Sequence, residues 1–302
     1  MLVMRELLTK KSLIESYLAQ RPRQLSSLSF VNMFLWSREF SFDLQEINQN
    51  LCVFASHGLG TFMYFPPLGK EYFPQTIDQC FAVMQERNRG RGVSRIENVS
   101  ENELTLFSIE KFLCRPKSSE YLYSRAALAA LQGQDYKSKR HEYNLFQKKY
   151  AAQYQAFAPE MIGQCGGLYD RWAAGRRQKY SDEVYRQMLA ENQQVHRLGM
   201  EYFQELGLVG RVVLIGGEIV AYTFGYALTE EIFCVLFEVA DLQYHGLPVY
   251  IFTEFCRDPE IARFPMINVM DDFGVKNLEK TKLSFRPAAM IPSYTAALRS
   301  SR

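Results

Sequence analysis

The chain has 302 residues, 47% hydrophobic and 23% charged, with a net charge of +2. This usage is that of a globular protein with ample apolar surface for a core, and it excludes a disordered chain; the length, beyond one ordinary domain of roughly 100 to 200 residues, favours two halves. With so little net charge, any attraction to nucleic acid or to an anionic membrane must come from local patches.

The N-terminal run MLVMRELLTKKSLIESYL breaks its apolar character with Arg5, Glu6, Lys10 and Lys11. It reads as an amphipathic first helix rather than a secretory signal. No window approaches the roughly 20 apolar residues of a membrane-spanning helix. Residues 51–55 and 60–65 read as short strands, 77–86 and 101–112 as helices, 121–123 as a strand and 126–131 as a short helix. Gly133 is a natural passage into a second half, which sets domains at 1–133 and 134–302. A basic helix over 136–150 follows, then a strand at 154–157 and helices over 161–174 and 181–198, the latter started by Ser181 with Asp182 and Glu183 behind it. Three β-rich runs, 208–215, 218–228 and 232–240, form an antiparallel meander, the first two joined by Gly216 and Gly217. A helix at 247–256, a strand at 265–268, a helix at 276–281 and a last strand at 283–288 close the chain. The fold class is α/β, mixed.

Cys52, Cys80, Cys114, Cys165, Cys234 and Cys256 lie far apart with no CxxC pair and read as thiols of a reducing compartment. The expected location is cytoplasmic, at most peripheral at a membrane. There is no GxSxG, Walker A, HExxH or GxGxxG motif, and His57, His141, His196 and His245 lack metal-ligand spacing, so no metal is expected.

Three segments could carry chemistry. The order of meander, glycine loop, helix, strand, helix, strand is that of the GNAT acyltransferase fold, in which a helix N-terminus grips a pyrophosphate through free amides. Gln243 to Pro248 resembles its Q/RxxGxG/A loop, with Gln243 and Gly246 as the marks kept and a proline in place of the last. The plain alternative is an ordinary strand-to-helix turn. In the basic helix, Tyr136, Tyr143, Phe146 and Tyr150 share one stripe and Lys137, Arg140, His141, Asn144 and Lys148 the other. Five Lys/Arg against one Glu between Lys137 and Tyr150 suit phosphates of a nucleotide, a tRNA end or a lipid headgroup, and suit equally a solvated helix face. Third, Asn268, Asp271 and Asp272 fall where a strand ends, with Lys280 and Lys282 where a helix passes into the last strand. A carboxylate there could serve as general base or merely cap the next helix.

The basic helix with Asn144 and Phe146, the run FEVAD before Gly246, and NVMDDFGVKNLEKTKLSFRP together resemble the phosphatidylglycerol lysyltransferase C-terminal domain family. That resemblance implies two tandem GNAT-like halves, related to the Fem-type aminoacyltransferases, and transfer of an amino acid from aminoacyl-tRNA to an acceptor such as a lipid headgroup. It implies phosphate contacts for Lys137, Lys139 and Arg140, a transfer site lined by Glu238, Asp241, Asp272, Lys280 and Lys282, and backbone shaping by Gly246 and Gly274. Asp272, Glu238 and Lys282 are the expected catalytic set; Lys137, Lys139, Arg140, Asn144, Asp241, Asn268 and Lys280 are expected to bind substrate, and Gln243 and Gly246 the cofactor. No tightly bound cofactor is expected; the co-substrate is aminoacyl-tRNA or acyl-CoA, and an anionic lipid surface is the further partner. Met270 and Val269 stand where the family commonly carries an acidic and a basic residue. They keep a second reading open, a binding module for an anionic ligand that retains the fold without turnover.

Overall fold

The computed structural model describes residues 2–179 and 183–299. The chain divides into two compact units, one of Met1–Glu120, Met270–Lys276 and Met290–Arg302, the other of Tyr121–Val269 and Asn277–Ala289.

In the first unit, α1 (Leu2–Thr9), α2 (Lys11–Leu18) and α3 (Phe30–Leu35) precede β1 (Ser41–Ile47), β2 (Asn50–His57) and β3 (Gly60–Met63). The helix α4 (Pro74–Asn88) leads to β4 (Arg95–Ser100), a 3-10 helix over Glu101–Leu106, and β5 (Phe112–Ser124). The strands β1, β2 and β3 form an antiparallel meander, and β4 runs parallel to β3. A parallel neighbour requires a crossover, which α4 supplies. Ile77, Cys80, Phe81 and Met84 recur at helical spacing on α4 and meet Cys52, Phe54, Met63, Ile96 and Val99 in one core.

The second unit opens with α5 (Arg125–Ala130), α6 (Lys137–Lys149) and β6 (Ala152–Ala156), followed by α7 (Ile162–Lys179) and α8 (Glu183–Glu201). Next come β7 (Val209–Ile215), β8 (Glu218–Ala227), β9 (Ile232–Ala240), α9 (Leu247–Arg257), β10 (Met266–Asn268) and α10 (Lys276–Leu283). The β7–β8 turn places Gly216 and Gly217 at φ of 61° and 85°, as a two-residue hairpin demands. Antiparallel pairing joins β6, β7, β8 and β9, and β10 lies parallel to β9. Each unit therefore runs meander, helix, parallel strand. In the second, α9 packs with α5 and α6, while α7 packs with α8 and on β8 and β9.

The last strand, β11 (Ala289–Leu298), pairs antiparallel with β4 and completes the first unit, whereas Leu122 to Ser124 of β5 pair with β10. The compact units thus part at Glu120 and Tyr121 instead of the expected 133/134, and the C-terminal residues return to the first. The cause is strand pairing, which the linear sequence does not display.

Two elements correct the sequence expectations. The helix expected over 101–112 is only a 3-10 helix at Glu101–Leu106, held by a capping box between Ser100 and Glu103, after which the chain extends as β5. Phe112 and the end of β5 around Tyr121 to Tyr123 are buried and the stretch between them is exposed or half-buried apart from Glu120, so only the far end gave a strand signal. The strand expected at 283–288 is instead the end of α10 and a turn: Phe285 is buried and mimics a strand residue, but Arg286 has φ of 57°. The true strand is half-buried along most of its length and contains Pro292. The strands β1 and β4 carried no expectation, and β1 is likewise exposed or half-buried throughout. The expected cap at Ser181 lies outside the described residues. Among the described residues no helix is long and apolar enough to cross a membrane.

Candidate functional site

The basic helix is α6, and its aromatic stripe fixes its orientation. Tyr143 stacks on Tyr250 of α9 at 5.5 Å and Phe146 meets the same ring at 4.6 Å, both residues being buried. At its start, Tyr136 donates from its hydroxyl to the Phe285 carbonyl at 3.1 Å. With that face committed, Lys137 and Asn144 are exposed and Lys139 is half-buried. The Lys139 ammonium sits 4.5 Å from the centre of the Phe285 ring, a cation–π contact, and Phe285 in turn packs edge-on against Phe252 at 5.0 Å.

Between the start of α6 and the end of α10 lies a cleft of about 400 Å³, lined by Asp135, Ser138, Lys139, Lys280, Ser284 and Arg286, with Leu283 as its apolar wall. Arg286 pairs loosely with Asp135 at 3.5 Å, both side chains being mostly exposed. Two segments singled out separately in the sequence thus meet here through Lys139 and Lys280. Arg286, Ser138, Ser284 and Asp135 were not assigned a role. The signal for Arg286 was its place beyond Lys280 and Lys282; nothing local marked the serines.

The other expected residues are placed as follows. Arg140 donates to the carbonyls of Leu131 and Gly133, clamping the loop before α6. Lys282 donates from Nζ to the Val269 carbonyl at 2.6 Å, and Tyr123 donates to the Lys282 carbonyl at 2.8 Å, so this lysine ties the end of β10 to α10. Asn268 is fully buried in β10. Asp241 accepts from the Gln243 amide at 3.0 Å, and Asp272 from the Gly274 amide at 2.8 Å. Asp272 belongs to the first unit, Glu238 and Lys282 to the second. Around Asp272 the backbone is strained, with Met270 at φ of 61° and Phe273 at 52°.

Gly246 has φ of 85°, and a Cβ there would lie 2.5 Å from the Glu142 carbonyl oxygen and 3.1 Å from Phe146 Cβ. The glycine therefore permits α6 to pack on the start of α9. The Leu247 amide is used by the Tyr244 carbonyl, and Pro248 has no amide to offer. Few donors remain there for a pyrophosphate.

Glu238 stands in a cross-strand row with Thr223 of β8 and, beyond it, Arg211 of β7. The residue is half-buried, yet its Oε2 is sealed from solvent and has no hydrogen-bond partner among the described residues. Burial pushes its carboxyl up to about 8. It is therefore largely protonated at neutral pH. Arg211 makes a two-pronged pair with Asp258 at 2.6 and 3.0 Å and reaches Glu260 at 2.6 Å. Burial works to raise the Asp258 carboxyl, but hydrogen bonds from Arg211 outweigh it and hold it below the usual range. On the other side of the sheet, His196 stacks on Phe237 at 4.2 Å and lies 2.8 Å from the Tyr222 hydroxyl. Burial pushes its imidazole down to about 3, so it is neutral.

Two meander–helix–strand units define the class: a tandem GNAT-like fold, each unit a mixed, mostly antiparallel sheet flanked by helices. A solved tandem GNAT protein from the clavulanic acid biosynthesis pathway has the same fold at 7% identity, with a TM-score of 0.54 over 99% of this chain and 96% of that one. The chain belongs to the family described as phosphatidylglycerol lysyltransferase, C-terminal, whose pattern matches residues 18–297. L-PGS from Bacillus licheniformis is similar at 14% identity and a TM-score of 0.66, covering 96% of this chain and 92% of that one. A conserved protein of unknown function from Bacteroides thetaiotaomicron VPI-5482 is similar at 25% identity and a TM-score of 0.85, covering 97% of both chains. A search among curated proteins finds no match. Family and fold together support aminoacyl or acyl transfer.

Proposed function

We propose that this chain moves an aminoacyl group from aminoacyl-tRNA to an amine or hydroxyl acceptor, a lipid headgroup at a membrane surface being the first acceptor to test. The observation that carries the reading is the family match over residues 18–297 on two GNAT-like units. The preference for an aminoacyl ester over acyl-CoA rests on α9, whose first turn is packed under α6 at Gly246 and loses a donor at Pro248.

In such a transfer the acceptor heteroatom attacks the ester carbonyl, a new C–N or C–O bond forms, and the C–O bond to the ribose breaks. The acceptor proton ends on the departing ribose oxygen. Asp272 is the proposed base for that proton, because Glu238 is buried and already protonated at neutral pH. Lys282, fixed on the Val269 carbonyl, is proposed to orient the end of β10 as a positioning residue.

The test is donor binding at several salt concentrations. Aminoacyl-tRNA should raise the thermal midpoint by an amount that fades steeply with salt, as counterion release requires, and acetyl-CoA should not shift it. A shift with acetyl-CoA alone would replace the aminoacyl donor with a thioester. The second reading, a binding module without turnover, draws on Met270 and Val269 and predicts binding without transfer.

A further inference from the structure

We infer that the cleft between α6 and α10 is a binding site for a terminal phosphate, either free phosphate or a phosphate monoester. Its cations come from two segments far apart in sequence. Lys139 and Lys280 supply point charges, and Arg286 a planar fork suited to two oxygens at once. Three cations match the three free oxygens of a terminal phosphate. The hydroxyls of Ser138 and Ser284 add donors on the same lining.

The backbone at the start of α6 favours an anion, and that at the end of α10 repels one only weakly. The helix α6 starts without a side-chain cap, and Ser138 and Lys139 of its first turn line the cleft, close to its positive dipole end. The end of α10 would ordinarily repel an anion through its free carbonyls. Here those carbonyls are occupied: Lys280 O accepts from the Ser284 amide, Thr281 O from the Ser284 hydroxyl, Lys282 O from the Phe285 amide, and Leu283 O from the Arg286 amide. The positive φ of Arg286, 57°, belongs to the same turn.

Size and charge limit the ligand. About 400 Å³ lies in the range of roughly 300 to 1,000 Å³ typical of small-molecule clefts. Asp135 stands on the lining beside Arg286, which disfavours a long polyanion laid across the cleft. The site stands or falls separately from transfer activity.

Calorimetric titration of the 302-residue chain with inorganic phosphate, glycerol 3-phosphate and dimethyl phosphate tests it. Inorganic phosphate and glycerol 3-phosphate should bind, glycerol 3-phosphate more tightly as pH rises through about 6, where a phosphate monoester takes its second charge. Preference for glycerol 3-phosphate would identify the ester as the source, and preference for inorganic phosphate the free ion. Lys280→Ala and Arg286→Ala should each weaken binding roughly tenfold or more, the size of a lost charge-assisted hydrogen bond, with Arg286→Lys recovering part of it. Lys70→Ala, exposed and outside the cleft, should bind as the unaltered chain does. Equal binding by all variants, equal binding of dimethyl phosphate, or binding of an oligonucleotide with neither terminal phosphate would overturn the site.

Discussion

Glu238 shows what a single buried carboxyl does to the whole stability profile. Its folded carboxyl stands near 8 against an ordinary 4.5, so the native state holds a proton that the unfolded chain has released. Stability contributed by that proton is fully present below about 4.5, falls as pH rises, and is gone above about 8. Glu238→Gln, which imitates the protonated form, should therefore unfold at a higher temperature than the unaltered chain at pH 9 and near the same temperature at pH 4. The difference should reach the order of a few kcal/mol at high pH. A variant that tracked the unaltered chain at every pH would show that Glu238 is solvated. Gly246 offers a second residue-scale test: alanine must accept φ of 85° and a backbone oxygen at 2.5 Å. Denaturant unfolding should register a loss of roughly 2 to 3 kcal/mol for Gly246→Ala, from left-handed strain plus displacement of α6.

The joint between β7 and α9 is set by Arg211 and Asp258, both buried, with Tyr154 of β6 also donating to Asp258 at 3.0 Å. Removing one partner strands the other's charge, so Asp258→Ala should cost about 3 to 5 kcal/mol in equilibrium unfolding. A loss within a few tenths would mean that water reaches the guanidinium. These partners were not legible in the sequence, because Arg211 and Asp258 lie 47 residues apart in it. What was legible at this scale were strongly apolar elements: the three-strand meander, whose β8 is buried on both faces, α9, and the aromatic stripe of α6. Elements that bury only part of a face were misread, β5 through its polar middle from Arg115 to Glu120 and β11 through its weak alternation. Of the expected binding residues, Lys139 and Lys280 share a cleft, whereas Arg140 is taken up by carbonyls, as is Lys282 of the expected catalytic set by Val269. Sequence gives the charge of a side chain but not which backbone oxygen will claim it.

For the whole molecule, the tandem GNAT-like class could be read from the order of elements and the family resemblance, and the family match over residues 18–297 agrees with it. The unit boundary could not, because β11 completes the first unit from the far end of the chain. The central claim is transfer of an aminoacyl group, and turnover measures it most directly. The 302-residue chain would be incubated with radiolabelled aminoacyl-tRNA and vesicles containing an anionic phospholipid, and label in the lipid fraction counted over time. The expected result is label that accumulates with the unaltered chain and is abolished by Asp272→Asn while aminoacyl-tRNA still binds. Label that accumulates equally with Asp272→Asn would contradict its role as base. Bound aminoacyl-tRNA with no transfer, to lipid or to soluble amine and hydroxyl acceptors, would contradict the transferase itself.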